Sequence, residues 1–109
     1  MFRVIAGLIL CLGLAATAAA QDAKVARGQK VFADQKCTLC HSIGDKGNRK
    51  GPLDGVASKL KAEEIREWIV DAKGMTAKTK PPRKPAMKAY TLPKKDVDAL
   101  VAYLMTLKK

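Results

Sequence analysis

Cys37-Thr38-Leu39-Cys40-His41 places two thiols three positions apart and follows them directly with the chain's one histidine. A C-x-x-C-H run is the pattern of covalent haem attachment. Thiols at this spacing can form thioether bonds to the two vinyl groups of a porphyrin. The imidazole that follows on the same turn can bind the iron. On the motif alone, other uses stay open. A redox dithiol uses C-x-x-C without the histidine and sits in a βαβ pattern, and no strand alternation is visible here. A structural zinc site wants four ligands, and the chain offers Cys37, Cys40, His41 and Cys11. A disulfide between Cys37 and Cys40 would leave His41 without a task.

The N-terminus bears on the choice. Arg3 is followed by an apolar run from Val4 to Ala16, and the segment closes on Ala18-Ala19-Ala20 before Gln21. This is the layout of a secretory signal peptide with a small-residue cleavage site, and the apolar run is short for a membrane span. The alternative is an uncleaved anchor helix. Cys11 follows Leu10, where a lipoprotein signal needs a small residue. The expectation is a leader over residues 1–20, cleaved after Ala20, and a single domain over residues 21–109. Export and the cysteine motif predict each other, because c-type haem is attached on the exported side of the membrane. A bacterial periplasm is the expected compartment, and it takes Cys11 away from any mature site.

A domain of this size has a thin core and often needs a metal or crosslink to hold it. Its aromatic residues are Phe32, Trp68, Tyr90 and Tyr103, and a covalent haem would supply the missing apolar centre. The chain has a formal net charge of +11, and only Arg3 among its 21 Lys and Arg falls in the leader. Haem propionates would lower this somewhat. A charge of this size speaks about partners, not about fold.

The pattern is all-α. Asp22 is positioned to cap a first helix running to about Lys36, with Val25, Gly28, Val31 and Phe32 inward. Gly inside a helix costs about 1 kcal/mol relative to Ala, so Gly28 suggests a close backbone approach. Ser42 to Lys50 reads as a polar loop and Gly51-Pro52-Leu53 as a turn. Leu53, Val56 and Leu60 suggest one or two helical turns. Ala62 to Lys73 reads as a helix with Ile65, Trp68, Ile69 and Ala72 on one face, acids near its start and Gly74 as its cap. Pro81, Pro82, Pro85 and Pro93 make Met75 to Pro93 a long loop of the kind that carries function. The last helix runs from about Lys94 to Leu107. Val97, Leu100, Val101, Leu104 and Leu107 form its stripe, Pro93 sits at its first position, and Lys108 and Lys109 lie at its negative end.

An electron-transfer haem wants a second axial ligand, and methionine can serve. Met75, Met87 and Met105 are the candidates outside the leader, each with core filling as its ordinary role. Met105 falls in the last helix and Met75 beside Gly74. Met87 lies in the proline-pinned run Lys84-Pro85-Ala86-Met87-Lys88-Ala89-Tyr90.

The arrangement resembles the class I cytochrome c family of small monohaem electron carriers, from about Ala23 to Leu107. The resemblance rests on Gly28 and Phe32, on Cys37-x-x-Cys40-His41, on Pro85 to Tyr90, and on Leu100 with Tyr103-Leu104. It implies a small cytochrome c-like fold, three to five helices around one covalently attached haem c. It also implies that Gly28 meets Tyr103 where the first and last helices cross. Carried over by position, Cys37 and Cys40 hold the haem, and His41 and Met87 bind its iron. The Pro52 carbonyl accepts a hydrogen bond from the proximal imidazole. Trp68 and Tyr90 pack at the haem side of the core, with a bond from Trp68 to a propionate as a further role. The family often shows Gly-Pro-x-Leu, whereas Leu53 follows Pro52 directly. The residue after the ligand methionine is commonly proline, whereas here it is Lys88, an amine that would compete for iron at alkaline pH. Replacing Lys88 with Ala should then abolish any such spectral transition.

Between Asp71 and Asp96 there is no acid. Lys78, Lys80, Arg83, Lys84, Lys88, Lys94 and Lys95 surround Met87, a positive rim suited to steering an acidic redox protein. A solvated loop kept charged for solubility is the plainer account. An anionic membrane surface is a second partner the charge admits. Nucleic acid is not expected, since no base-stacking aromatics interleave with these residues. The expected function is a monomeric electron carrier, not an enzyme. The alternatives are a haem subunit of a larger redox enzyme and, if Met87 does not coordinate, a five-coordinate haem enzyme or ligand sensor. Peroxide chemistry would want a distal acid or base, and the one histidine is already committed.

Overall fold

The computed structural model describes the backbone of residues 2–109 and the side chains of residues 16–109. The cysteine at position 11 and most of the apolar run lie outside the described side chains. Among the described residues five α-helices are joined by loops, with one two-stranded antiparallel hairpin. Helix α1 spans Phe2–Asp34, α2 Val56–Lys59, α3 Ala62–Val70, α4 Ala72–Thr79 and α5 Lys94–Leu104. A 3₁₀ turn, Cys37–Leu39, follows α1, and the hairpin pairs β1 (Ser42–Ile43) with β2 (Lys46–Gly47). The all-α expectation holds, with the hairpin a small addition inside the polar loop. Among the described residues no helix is long and apolar enough to cross a membrane.

The crossing of α1 and α5 organises the molecule. A Cβ on Gly28 would collide with the backbone carbonyl of Ala99 and stand 2.6 Å from Cβ of Tyr103. Only a residue without a side chain lets the two backbones come this close. Ala99 is fully buried opposite it. One turn on, the Phe32 and Tyr103 rings meet edge to face, 5.8 Å apart at 74°, a favoured aromatic geometry. The core is completed by Val31, Ile65, Ile69, Val97, Leu100, Val101 and Leu104. The Gly28–Tyr103 meeting expected from the resemblance is therefore present.

Several boundaries differ from the expected ones. Helix α1 does not begin at Asp22, which lies exposed in its interior. Alanine is the strongest helix former, and Ala18 to Ala20 carry the helix through without a breaker. The expected helix over 62–73 is two helices. Asp71 leaves helical geometry and caps α4, its carboxylate accepting from the Gly74 N–H at 3.2 Å. Gly74 thus lies inside α4 and ends nothing. As a result the long loop begins at Lys80, not at Met75, and Met75 is a buried core residue. Pro93 is the N-cap of α5 and not its first residue. The last helix stops at Leu104, because the tail turns back onto α2. The Ala57 N–H donates to Leu107 O at 3.0 Å, and the Lys109 N–H donates to Ser58 Oγ at 2.9 Å. Lys108 and Lys109 therefore lie beyond the helix end.

Candidate haem-attachment site

Lys36 adopts a left-handed conformation, with φ 56° and ψ 41°, and reverses the chain out of α1 into the 3₁₀ turn. The turn puts Cys37, Cys40 and His41 on one short stretch. Cys37 is half-buried, Cys40 is exposed, and no disulfide joins them. Burial pushes the Cys37 thiol up from its ordinary value, partly opposed by a backbone hydrogen bond. Leu39, between the cysteines, is 70% exposed, which is unusual for a large apolar side chain.

Every carbonyl of the turn has a partner. The Cys37 carbonyl accepts from the N–H groups of Cys40 and His41, at 3.2 and 2.9 Å. The Asn48 N–H donates to the carbonyls of Thr38 and His41, both at 3.0 Å. Its side-chain amide donates to Leu39 O at 3.1 Å. The Cys40 carbonyl accepts from Nη1 of Arg83, which arrives from the proline-rich loop. Asn48 and Arg83 are the residues that sequence reasoning missed here. A side chain that bonds a distant backbone leaves no periodic signal. Arg83, expected on the docking face, also bonds the Cys40 carbonyl.

His41 Nδ1 lies 3.0 Å from the carbonyl oxygen of Gly51. This corrects the expectation that Pro52 would take this bond. Ser42 forms an isolated bridge opposite Pro52: its N–H donates to Gly51 O at 3.1 Å and its carbonyl accepts from Leu53 at 2.8 Å. Consecutive residues of an extended segment turn their carbonyls to opposite sides. Gly51 therefore faces the turn and Pro52 faces away. Gly51 must be small: a Cβ there would strike Nη1 of Arg83 and the Cys40 carbonyl.

Burial lowers the His41 pKa from its ordinary value, the Gly51 bond partly restores it, and the Arg83 charge lowers it again. A neutral imidazole with Nδ1–H bound to a carbonyl presents Nε2 as the free lone pair, the form a metal requires. Among the described residues no three Cys, His, Asp or Glu side chains gather into a metal cluster.

The loop from Lys80 to Pro93 closes over this turn, pinned on both sides of Met87. Arg83 is bonded to Cys40, and the Tyr90 N–H donates to Ile69 O at 2.9 Å. Met87 is half-buried between these anchors. Tyr90 packs on the core, and the Lys88 ammonium sits 5.1 Å from its ring centroid. Burial raises the Tyr90 pKa, helped by the nearby cysteines. Trp68 is half-buried on α3 and lies outside the core cluster that Ile65 and Ile69 join. An open cleft of about 560 Å³ separates Leu39, Cys40 and Asn48 from Pro82 to Pro85. Two free thiols and an oriented imidazole on one turn suit a covalently held haem; the cleft is lined by neither His41 nor Met87.

The profile of the cytochrome c family matches residues 25–108. The chain belongs to the cytochrome c family. It is 30% identical over 91 positions to cytochrome c oxidase subunit 2 of Alkalihalophilus pseudofirmus, an alignment that covers 75% of this chain and 25% of that protein. The chain thus spans about a quarter of the length of this curated relative. No solved structure matches it significantly. As a cytochrome c this is a haem protein of electron transfer.

Proposed function

We propose that this cytochrome c is a periplasmic electron carrier, exported by a leader cleaved after Ala20, with one haem c bound through Cys37 and Cys40. In this reading His41 and Met87 would bind its iron. The placement of His41 carries it: an imidazole whose Nδ1 is held by the Gly51 carbonyl at 3.0 Å, in a turn whose cysteines are unpaired. The haem would supply one-electron exchange between ferric and ferrous iron. The chain's own residues do the rest. Gly51 fixes the ring orientation, Asn48 and Arg83 hold the turn, and the anchors at Arg83 and Tyr90 hold the methionine loop. No substrate is transformed, because the one imidazole is already used.

Lys80, Lys84, Lys88 and Lys95 are exposed and make no ion pair within 4.0 Å among the described residues. They are the charges free to steer a monomeric carrier toward an acidic redox protein. Lys94 is held by Asp98 at 2.9 Å, and Lys78 lies 3.8 Å from Glu67. The likeness to an oxidase subunit supports a second reading, in which the domain serves as the haem module of a larger redox enzyme.

Absorption spectra of the haem-loaded protein in both redox states test the ligand set. A sulfur-to-iron charge-transfer band should vanish in Met87→Ala and survive in Met75→Ala. The latter should lose about 2–5 kcal/mol of stability as a core truncation. Ready binding of carbon monoxide by the ferrous wild type would overturn Met87 and favour an open-site haem protein.

A further inference from the structure

Arg83 has a task that a docking residue would not need. It is half-buried in Pro82-Arg83-Lys84-Pro85 and crosses the cleft to the turn. Its Nη1 donates to the Cys40 carbonyl, one residue before His41. The same nitrogen lies where a Cβ on Gly51 would stand, so the guanidinium packs against the Gly51 backbone. The Gly51 carbonyl in turn holds His41 Nδ1 at 3.0 Å. The guanidinium thus touches the backbone both before and opposite the imidazole. Among the described residues no carboxylate lies within 4.0 Å of it, and its charge is permanent near neutral pH.

We propose that Arg83 is a positioning residue that sets a fixed positive charge beside His41 and thereby favours the reduced state of the haem iron. This rests on the reading of His41 as an axial ligand. Reduction adds one electron to the iron and so lowers the positive charge of the centre. A neighbouring cation is repelled less by the reduced centre than by the oxidised one. Partial burial keeps the effect from being screened away, since Coulomb energies grow as the effective dielectric falls. The lever is a charge near the axial ligand, distinct from ligand identity. Gly51 serves the same end by leaving room for the guanidinium.

The test is the midpoint potential of the haem-loaded full chain, measured at one ionic strength beside a thermal melt. Arg83→Gln should shift the ferric–ferrous equilibrium about tenfold toward ferric, a fall of about 59 mV for one electron. Lys84→Gln removes the same charge from the adjacent residue and should shift it less. Arg83→Lys keeps the charge on the same residue, so it should hold the potential closer to wild type than Arg83→Gln does. If Arg83→Gln fails to load haem, Arg83→Lys against wild type still reads the effect of moving the charge. An Arg83→Gln shift no larger than that of Lys84→Gln overturns the proposal, whatever the melting temperature does. So does an Arg83→Lys potential that falls as far as that of Arg83→Gln. The wild-type haem content and spectrum test the reading of the site, and the differences among variants test Arg83.

Discussion

Where α1 crosses α5, order comes from shape: an absent side chain at Gly28, a buried Ala99 and two rings set edge to face. In the turn from Cys37 to His41, order comes from hydrogen bonds donated by Asn48 and Arg83. The crossing is closed, apolar and without tolerance. The turn is open on one side and holds its cysteines unpaired. A helix interface excludes everything but itself, whereas an attachment site must be rigid in its backbone and accessible in its side chains. Bonding the carbonyls from behind satisfies both demands.

The comparison can be broken at either end. The largest effect belongs to the turn. Cys37→Ser with Cys40→Ser should abolish covalent haem, read as loss of haem staining on a denaturing gel. Next comes the crossing. Gly28→Ala should cost about 3 kcal/mol through overpacking against backbone, seen as a lowered midpoint in denaturant. An unchanged midpoint would show that the helices can slide apart freely. Asn48→Ala removes two exposed side-chain hydrogen bonds, to Leu39 and from Lys50, and should cost about 1–2 kcal/mol with helix content unchanged by circular dichroism.

The smallest effect sharpens the picture of the α3–α5 contact. Lys94 holds the Asp98 carboxyl below its usual range, with Arg66 adding to it. A folded-state pKa below the unfolded one gives stability that is present above the unfolded value and lost as pH falls through the folded one. Wild type should therefore melt above Asp98→Asn at neutral pH. The two curves should converge as the pH drops below about 4. The exposure of Asp98 and both partners keeps the separation small.

Much of the crossing was legible because each residue there signals by its type. An interior glycine, an aromatic one turn on and an apolar stripe in α5 all report on burial. In the candidate site the cysteines and histidine stand out as one motif, and their supports do not. His41 is unmistakable as the one imidazole, yet its partner is Gly51 and not Pro52, since a strand-like pairing around Ser42 decides which carbonyl faces it. Asp71 splits a helix whose apolar spacing continues through it, so periodicity alone runs past the break. Arg83 reads as one more cation in a basic loop until the fold carries it to Cys40.

The two donors that hold the turn stand at very different distances along the chain. The Asn48 amide reaches back 9 residues to Leu39, whereas Arg83 reaches back 43 to Cys40. Closing the longer loop costs about 1.4 kcal/mol more in chain entropy. The Asn48 contacts are therefore the cheaper of the two to close. The cysteine turn is thus braced once from close by and once from far along the chain.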